Sequence, residues 1–118
     1  MDRRKFTQYN EEWQEAATML MIAHNSFRNI KHSLEIAKAN AWADGQVTGS
    51  NNDQRKAALY IIVQPFVESL IAAEEEVMRC QVDERYLRNI IEFAIWNGIE
   101  TPQAFGGIRE RIDPHNPN

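Results

Sequence analysis

The stretch "DGQVTGSNNDQRKAALYIIV" (residues 44–63) decides how this chain folds. It opens with glycines, a threonine, a serine and two asparagines, passes through Asp53, Arg55 and Lys56, and ends in seven consecutive apolar or aromatic residues from Ala57 to Val63. A loop of small polar residues that runs into a continuous apolar segment reads as a turn followed by a helix start. Asn51 followed three positions later by Gln54 has the spacing of a capping box, as has Ser50 followed by Asp53. The second helix is therefore expected to begin near residues 51–53.

Upstream of this turn, apolar positions recur at Phe6, Tyr9, Trp13, Ala16 or Ala17, Leu20, Ala23, Phe27, Ile30, Leu34, Ala37 and Ala41. Alternating steps of three and four over that distance mark a helical stripe close to a heptad period. No glycine or proline interrupts it before Gly45, which suits a left-handed helix stop. The expectation is one helix within about 6–44, about 35 residues and roughly 50 Å long. Asn25 and Ser26 offer the one point where a cap could break it.

Downstream, the pattern predicts a helix over 52–80, kinked near Ile61 by Pro65. Centring the turn between Thr48 and Gly49 sets Leu34 opposite Val63, Ile30 opposite Val67, Phe27 opposite Leu70, Leu20 opposite Val77 and Ala17 opposite Cys80. Apolar meets apolar along the whole length, which is the signature of a long antiparallel αα-hairpin. Asp83 then reads as the cap of a third helix over 84–97, with Gly98 after its end. "TPQAF" has threonine at a cap position and proline at the first helical position, giving a short fourth helix over 102–106. The expectation is an all-α chain with one domain over 1–112 and a frayed, proline-bearing tail over 113–118.

The second helix is too apolar for a simple hairpin. "AALYIIV", "FV" and "LIAA" cover every side of the cylinder, and a helix apolar all round has to be covered all round. Self-association is the expected solution, although the third and fourth helices offer cover within one chain.

Composition bounds the chemistry. The 118 residues suit one domain, and 43% hydrophobic with 25% charged residues is ordinary globular composition. A net charge of -4 argues against a dedicated duplex-DNA binder. With Cys80 as the single cysteine no internal disulfide can form. The N-terminus lacks the apolar core of a signal peptide, and no uninterrupted apolar run has the length of a membrane span, so the expected location is the cytoplasm.

Catalytic signals are absent from the pattern. His32 and Glu35 stand in the reverse order of a Glu-x-x-His pair, His24 and His32 are too far apart for one helical site, and no metal or cofactor is expected. Glu74, Glu75 and Glu76 point in different directions on a helix. The chain is expected not to be an enzyme.

What remains is the helix start itself. Free N–H groups and a partial positive charge gather there, and Arg55 and Lys56 add two cations against the dipole. Trp42 lies opposite Arg55 in the hairpin register, with Tyr60 about a turn further on. Rings to stack a base, cations and N–H groups for phosphate, and the amides of Asn51 and Asn52 are what a small nucleotide requires. The competing reading is local: Arg55 covers Trp42 or pairs with Asp44 or Asp53, and the asparagines are caps.

The segment "GQVTGSNNDQRKAAL" also resembles the Gly-x-Asn-x-x-x-Arg-x-Ala motif that introduces the second of two long helices in small all-helical phage and prophage proteins. The matching positions are Gly49, Asn51, Arg55, Ala57 and Leu59, with Ser50 where lysine is common. The resemblance implies a phage origin and, by analogy, a counter-defence role in an infected bacterial host. In that setting one class of oligomeric "sponges" sequesters nucleotide signals such as cyclic dinucleotides or ADP-ribose derivatives. The other class, anti-CRISPR-like, binds and inhibits a host protein. The first expects Arg55, Lys56, Trp42, Tyr60, Asn51 and Asn52 to form the ligand site.

Overall fold

The computed structural model describes residues 1–99. They form two long helices that pack against each other, α1 over Arg3–Ala43 and α2 over Asn52–Asn97, and no strand occurs among them. The expected short helix over 102–106 and the tail over 113–118 lie outside the described residues.

α1 begins three residues earlier than its apolar stripe suggests, because Asp2 caps it. The Lys5 N–H donates to Asp2 Oδ1 at 2.9 Å, and the Phe6 N–H donates to the Asp2 carbonyl at 3.1 Å. The helix then runs unbroken through Asn25 and Ser26, both exposed. Its end is a Schellman motif. Gly45 sits at φ +70°, its N–H donates to the Trp42 carbonyl at 3.2 Å, and the Gln46 N–H reaches the Ala41 carbonyl at 3.0 Å.

The second and third helices expected from the sequence are one. α2 passes through residues 81–83 without interruption, so Asp83 is not a cap. Packing explains the continuity. Val77, Cys80, Glu84, Leu87, Ile91 and Ala94 turn inward at steps of three and four, so the stripe that holds α2 against its partner never breaks. With that stripe intact, Asp83 lies on a flank and costs only its weak helix propensity. Pro65 is also inside α2 and is exposed. The N–H that it lacks would have bonded the carbonyl of Ile61, itself 71% exposed, so that carbonyl lies on the solvent side of the helix, where water can satisfy it. Gly98, at φ +82°, follows the last helical residue as expected.

The chain divides into two compact units. One holds Met21–Arg79: the second half of α1, the loop, and the first part of α2 folded back on it. Its core is Ala23, Leu34, Ala41, Val63 and Val77. The other joins Met1–Leu20 to residues 80–99, with Cys80 and Ala94 buried. In both, the inward residues of each helix follow the heptad pattern read from the sequence. The core is thin and made of small or medium side chains. Large apolar residues stay outside, among them Ile22, Ile36, Ile71, Met78 and Phe93.

α2 is long and apolar enough to cross a membrane by length and composition, with an 18-residue window of mean hydropathy 1.4. The expectation from the sequence concerns uninterrupted apolar runs, which this average over a window does not count. The run is interrupted by isolated polar residues, which an average over a window absorbs and a count of consecutive residues does not. Only 6% of the window is buried.

Candidate functional site

The α2 start folds around one small hydrogen-bonded cluster. Asn51 is its cap, with Oδ1 accepting the Gln54 N–H at 2.8 Å. Gln54 returns the favour one residue earlier than in a standard capping box. Its Oε1 accepts both the Ser50 N–H at 2.8 Å and the Ser50 hydroxyl at 2.9 Å. The Ser50–Asp53 alternative is not the one adopted. Arg55 completes the cluster. Its guanidinium donates from Nη2 to Asn52 Oδ1 at 2.7 Å and from Nη1 to the Gly49 carbonyl at 3.3 Å.

This geometry explains three residues of the helix-start motif. A Cβ on Gly49 would stand 2.6 Å from the Gln54 Cβ and 3.0 Å from the Arg55 nitrogen, and its backbone sits at φ +142°. Only glycine fits. Asn51 supplies the cap, and Arg55 ties the helix back to the loop carbonyl that the turn leaves free. The motif is a self-contained device for starting a helix after a tight loop.

Of the six residues read as a ligand site, the structure brings Asn51, Asn52 and Arg55 together and engages each with its neighbours. Neither Asp44 nor Asp53 forms an ion pair with Arg55; the ion pairs among the described residues include Glu35–Lys38, Glu76–Arg79 and Glu84–Arg88. Trp42 and Tyr60 are 54% and 57% exposed, and Lys56 is exposed without a hydrogen-bond or ion-pair partner among the described residues. Two shallow surface hollows occur elsewhere. One, about 420 Å³, lies along α1 between Ile22 and Ser33. The other, about 330 Å³, is lined by Glu12, Glu15, Ala16, Met19, Asp83, Tyr86 and Leu87. None of the six residues lines either hollow.

Sequence reasoning missed two buried polar atoms in the unit that holds Met1–Leu20 and residues 80–99. Trp13 Nε1 and Glu84 Oε2 are both buried with no hydrogen-bond partner. The other oxygen of that carboxylate, Oε1, lies 3.6 Å from Arg88 Nε, one turn further along the same helix. Both residues occupy inward positions of their helices, and the hairpin register that set Ala17 opposite Cys80 also sets Trp13 opposite Glu84. That register was the available signal. No group of three His, Cys, Asp or Glu among the described residues is placed to hold a metal.

No protein-family model, curated protein or solved structure matches this chain. The site therefore has to be read from its own chemistry.

Proposed function

We propose that this protein acts by docking, as a self-associating helical scaffold that binds proteins and catalyses nothing. The observation that carries this reading is the exposure of α2: a helix with an 18-residue window of mean hydropathy 1.4 has only 6% of that window buried. Exposed apolar surface on this scale marks an interaction face. The two described helices bury only a thin core between them, and small scaffolds of this kind gain their stability by assembling. The protein-inhibitor class suggested by the helix-start resemblance, acting in the cytoplasm of a phage-infected host, is the setting in which such a scaffold works. The test is molecular mass by sedimentation equilibrium over a wide concentration range. A mass above the monomer that falls on dilution is expected; a monomer mass throughout, with no binding of a hydrophobic dye, overturns the reading.

The nucleotide-sequestering reading has one observation in its favour: Lys56, Trp42 and Tyr60 remain exposed beside the helix start. A thermal-shift panel of cyclic dinucleotides and ADP-ribose-type compounds tests it. Saturation at about 100 times the dissociation constant stabilises a protein by roughly 2.7 kcal/mol, a readily seen shift.

A further inference from the structure

Within the unit formed by Met21–Arg79, the two helices carry opposite charge. Residues 21–43 of α1 hold Arg28, Lys31 and Lys38 against Glu35, whereas residues 52–79 of α2 hold Asp53, Glu68, Glu74, Glu75 and Glu76 against Arg55, Lys56 and Arg79, the three cations standing at the two ends of that stretch. The geometry of an antiparallel pair sorts these charges onto faces. Residues one step before the inward positions of both helices share one face, as the hollow built by Glu12, Glu15, Met19, Asp83 and Tyr86 shows for the other unit. Residues one step after the inward positions share the opposite face. On that face α1 presents Arg28, Lys31 and the mutually paired Glu35 and Lys38 between Met21 and Trp42, and α2 presents Glu68 and Glu74 between Tyr60 and Met78. Arg28, Lys31 and Glu74 have no ion-pair partner among the described residues, and Glu68 accepts only the Gln64 amide, on its own helix. Met21, Trp42, Tyr60, Ile71 and Met78 on the same face are all more than half exposed.

We infer that this face is covered by a second copy of the chain, related by a two-fold axis parallel to the helices, so that α1 of each copy lies over α2 of the other. The inference rests on the docking reading above and adds which face docks, in which arrangement. Charge selects the arrangement. A two-fold axis across the helices would set α1 on α1 and α2 on α2, basic on basic and acidic on acidic. The axis along the helices keeps levels matched, which places Glu68 of one copy between Arg28 and Lys31 of the other and Glu74 beside His24. Like-charge contacts across an interface are costly, whereas matched ones fix its register. The exposed apolar side chains between the charges supply the area.

Charge reversal tests it. Arg28→Glu with Lys31→Glu in one variant, and Glu68→Lys with Glu74→Lys in another, are compared with the natural protein by sedimentation equilibrium, with helicity followed by circular dichroism. Each variant alone should raise the dimer dissociation constant by at least about tenfold. An equimolar mixture of the two should restore the dimer, and with it any helicity lost on dissociation. If the natural protein assembles but neither variant weakens it, this face and this arrangement are overturned while the docking reading stands. A natural protein that is monomeric overturns both. Variants that weaken assembly but are not rescued by mixing overturn the pairing of α1 with α2.

Discussion

Replacing Gly49 by alanine should damage this protein far more than the same change at Gly45, although both glycines lie in one loop at positive φ. At Gly45 an added Cβ meets nothing within 4 Å, so the cost is the left-handed backbone alone, about 1–2 kcal/mol. Part of that is offset by the roughly 0.4–1 kcal/mol that alanine gains by restricting the unfolded chain. At Gly49, φ +142° lies outside the left-handed helical well, in a region essentially closed to residues with a Cβ, and the Cβ would also stand 2.6 Å from the Gln54 Cβ and 3.0 Å from backbone atoms of Gln54 and Arg55. Backbone atoms cannot rotate away, so the loop has to lift from the helix start. That movement breaks the Gln54 bonds to Ser50 and the Arg55 bond to the Gly49 carbonyl, the equivalent of losing a helix cap, worth about 1 kcal/mol or more. The expected loss is about 2–4 kcal/mol for Gly49→Ala and about 1 kcal/mol for Gly45→Ala. At about 4 °C per kcal/mol, the melting temperature falls by about 8–16 °C in the first case and about 4 °C in the second. Thermal melts followed by circular dichroism, at one fixed protein concentration because assembly shifts the midpoint, measure the difference. If Gly45→Ala proves as damaging as Gly49→Ala, the close approach of the loop to Gln54 is not what the motif glycine provides.

Three further outcomes follow from individual residues. Arg55→Ala should lower stability by about 1 kcal/mol through two lost hydrogen bonds, seen as a reduced urea midpoint with an unchanged slope; no loss would mean the guanidinium is not held by the loop. Glu84→Leu should stabilise the fold by about 1–2 kcal/mol, because it removes a buried carboxylate oxygen that has no partner and fills the stripe with an apolar side chain; a lower melting temperature would show that the carboxylate is satisfied. The Asp2 carboxyl titrates below its ordinary range, held there chiefly by the hydrogen bond it accepts from the Lys5 N–H. A depressed folded value means that its support of the first turn of α1 is present above the unfolded pKa and is lost as pH falls through the folded one. An NMR titration of the Lys5 amide should therefore show its midpoint below that of an unstructured aspartate, and a midpoint at the unstructured value would remove the cap.

The sequence by itself determined the elements that rest on local chemistry. Gly45 stops α1, Asn51 and Gln54 start α2 and Gly98 ends it, because each is set by atoms within a few residues. The inward stripe was legible too, since a heptad of apolar residues leaves a helix only one face to bury. Local reading failed where packing overrode propensity. Asp83 has the chemistry of a cap, but Cys80, Glu84 and Leu87 continue the stripe on either side of it, and the energy of that contact outweighs one unfavourable residue. The candidate site divides along the same line. The sequence placed Arg55 beside the asparagines; the tertiary structure decided that its guanidinium turns back to Asn52 and the Gly49 carbonyl, because a tight glycine turn brings that carbonyl within reach. It alone decided that Trp13 and Glu84 are buried without partners, and that α2 presents much of its apolar surface outward. Those outcomes depend on how two helices lie against each other, which no window of one chain contains.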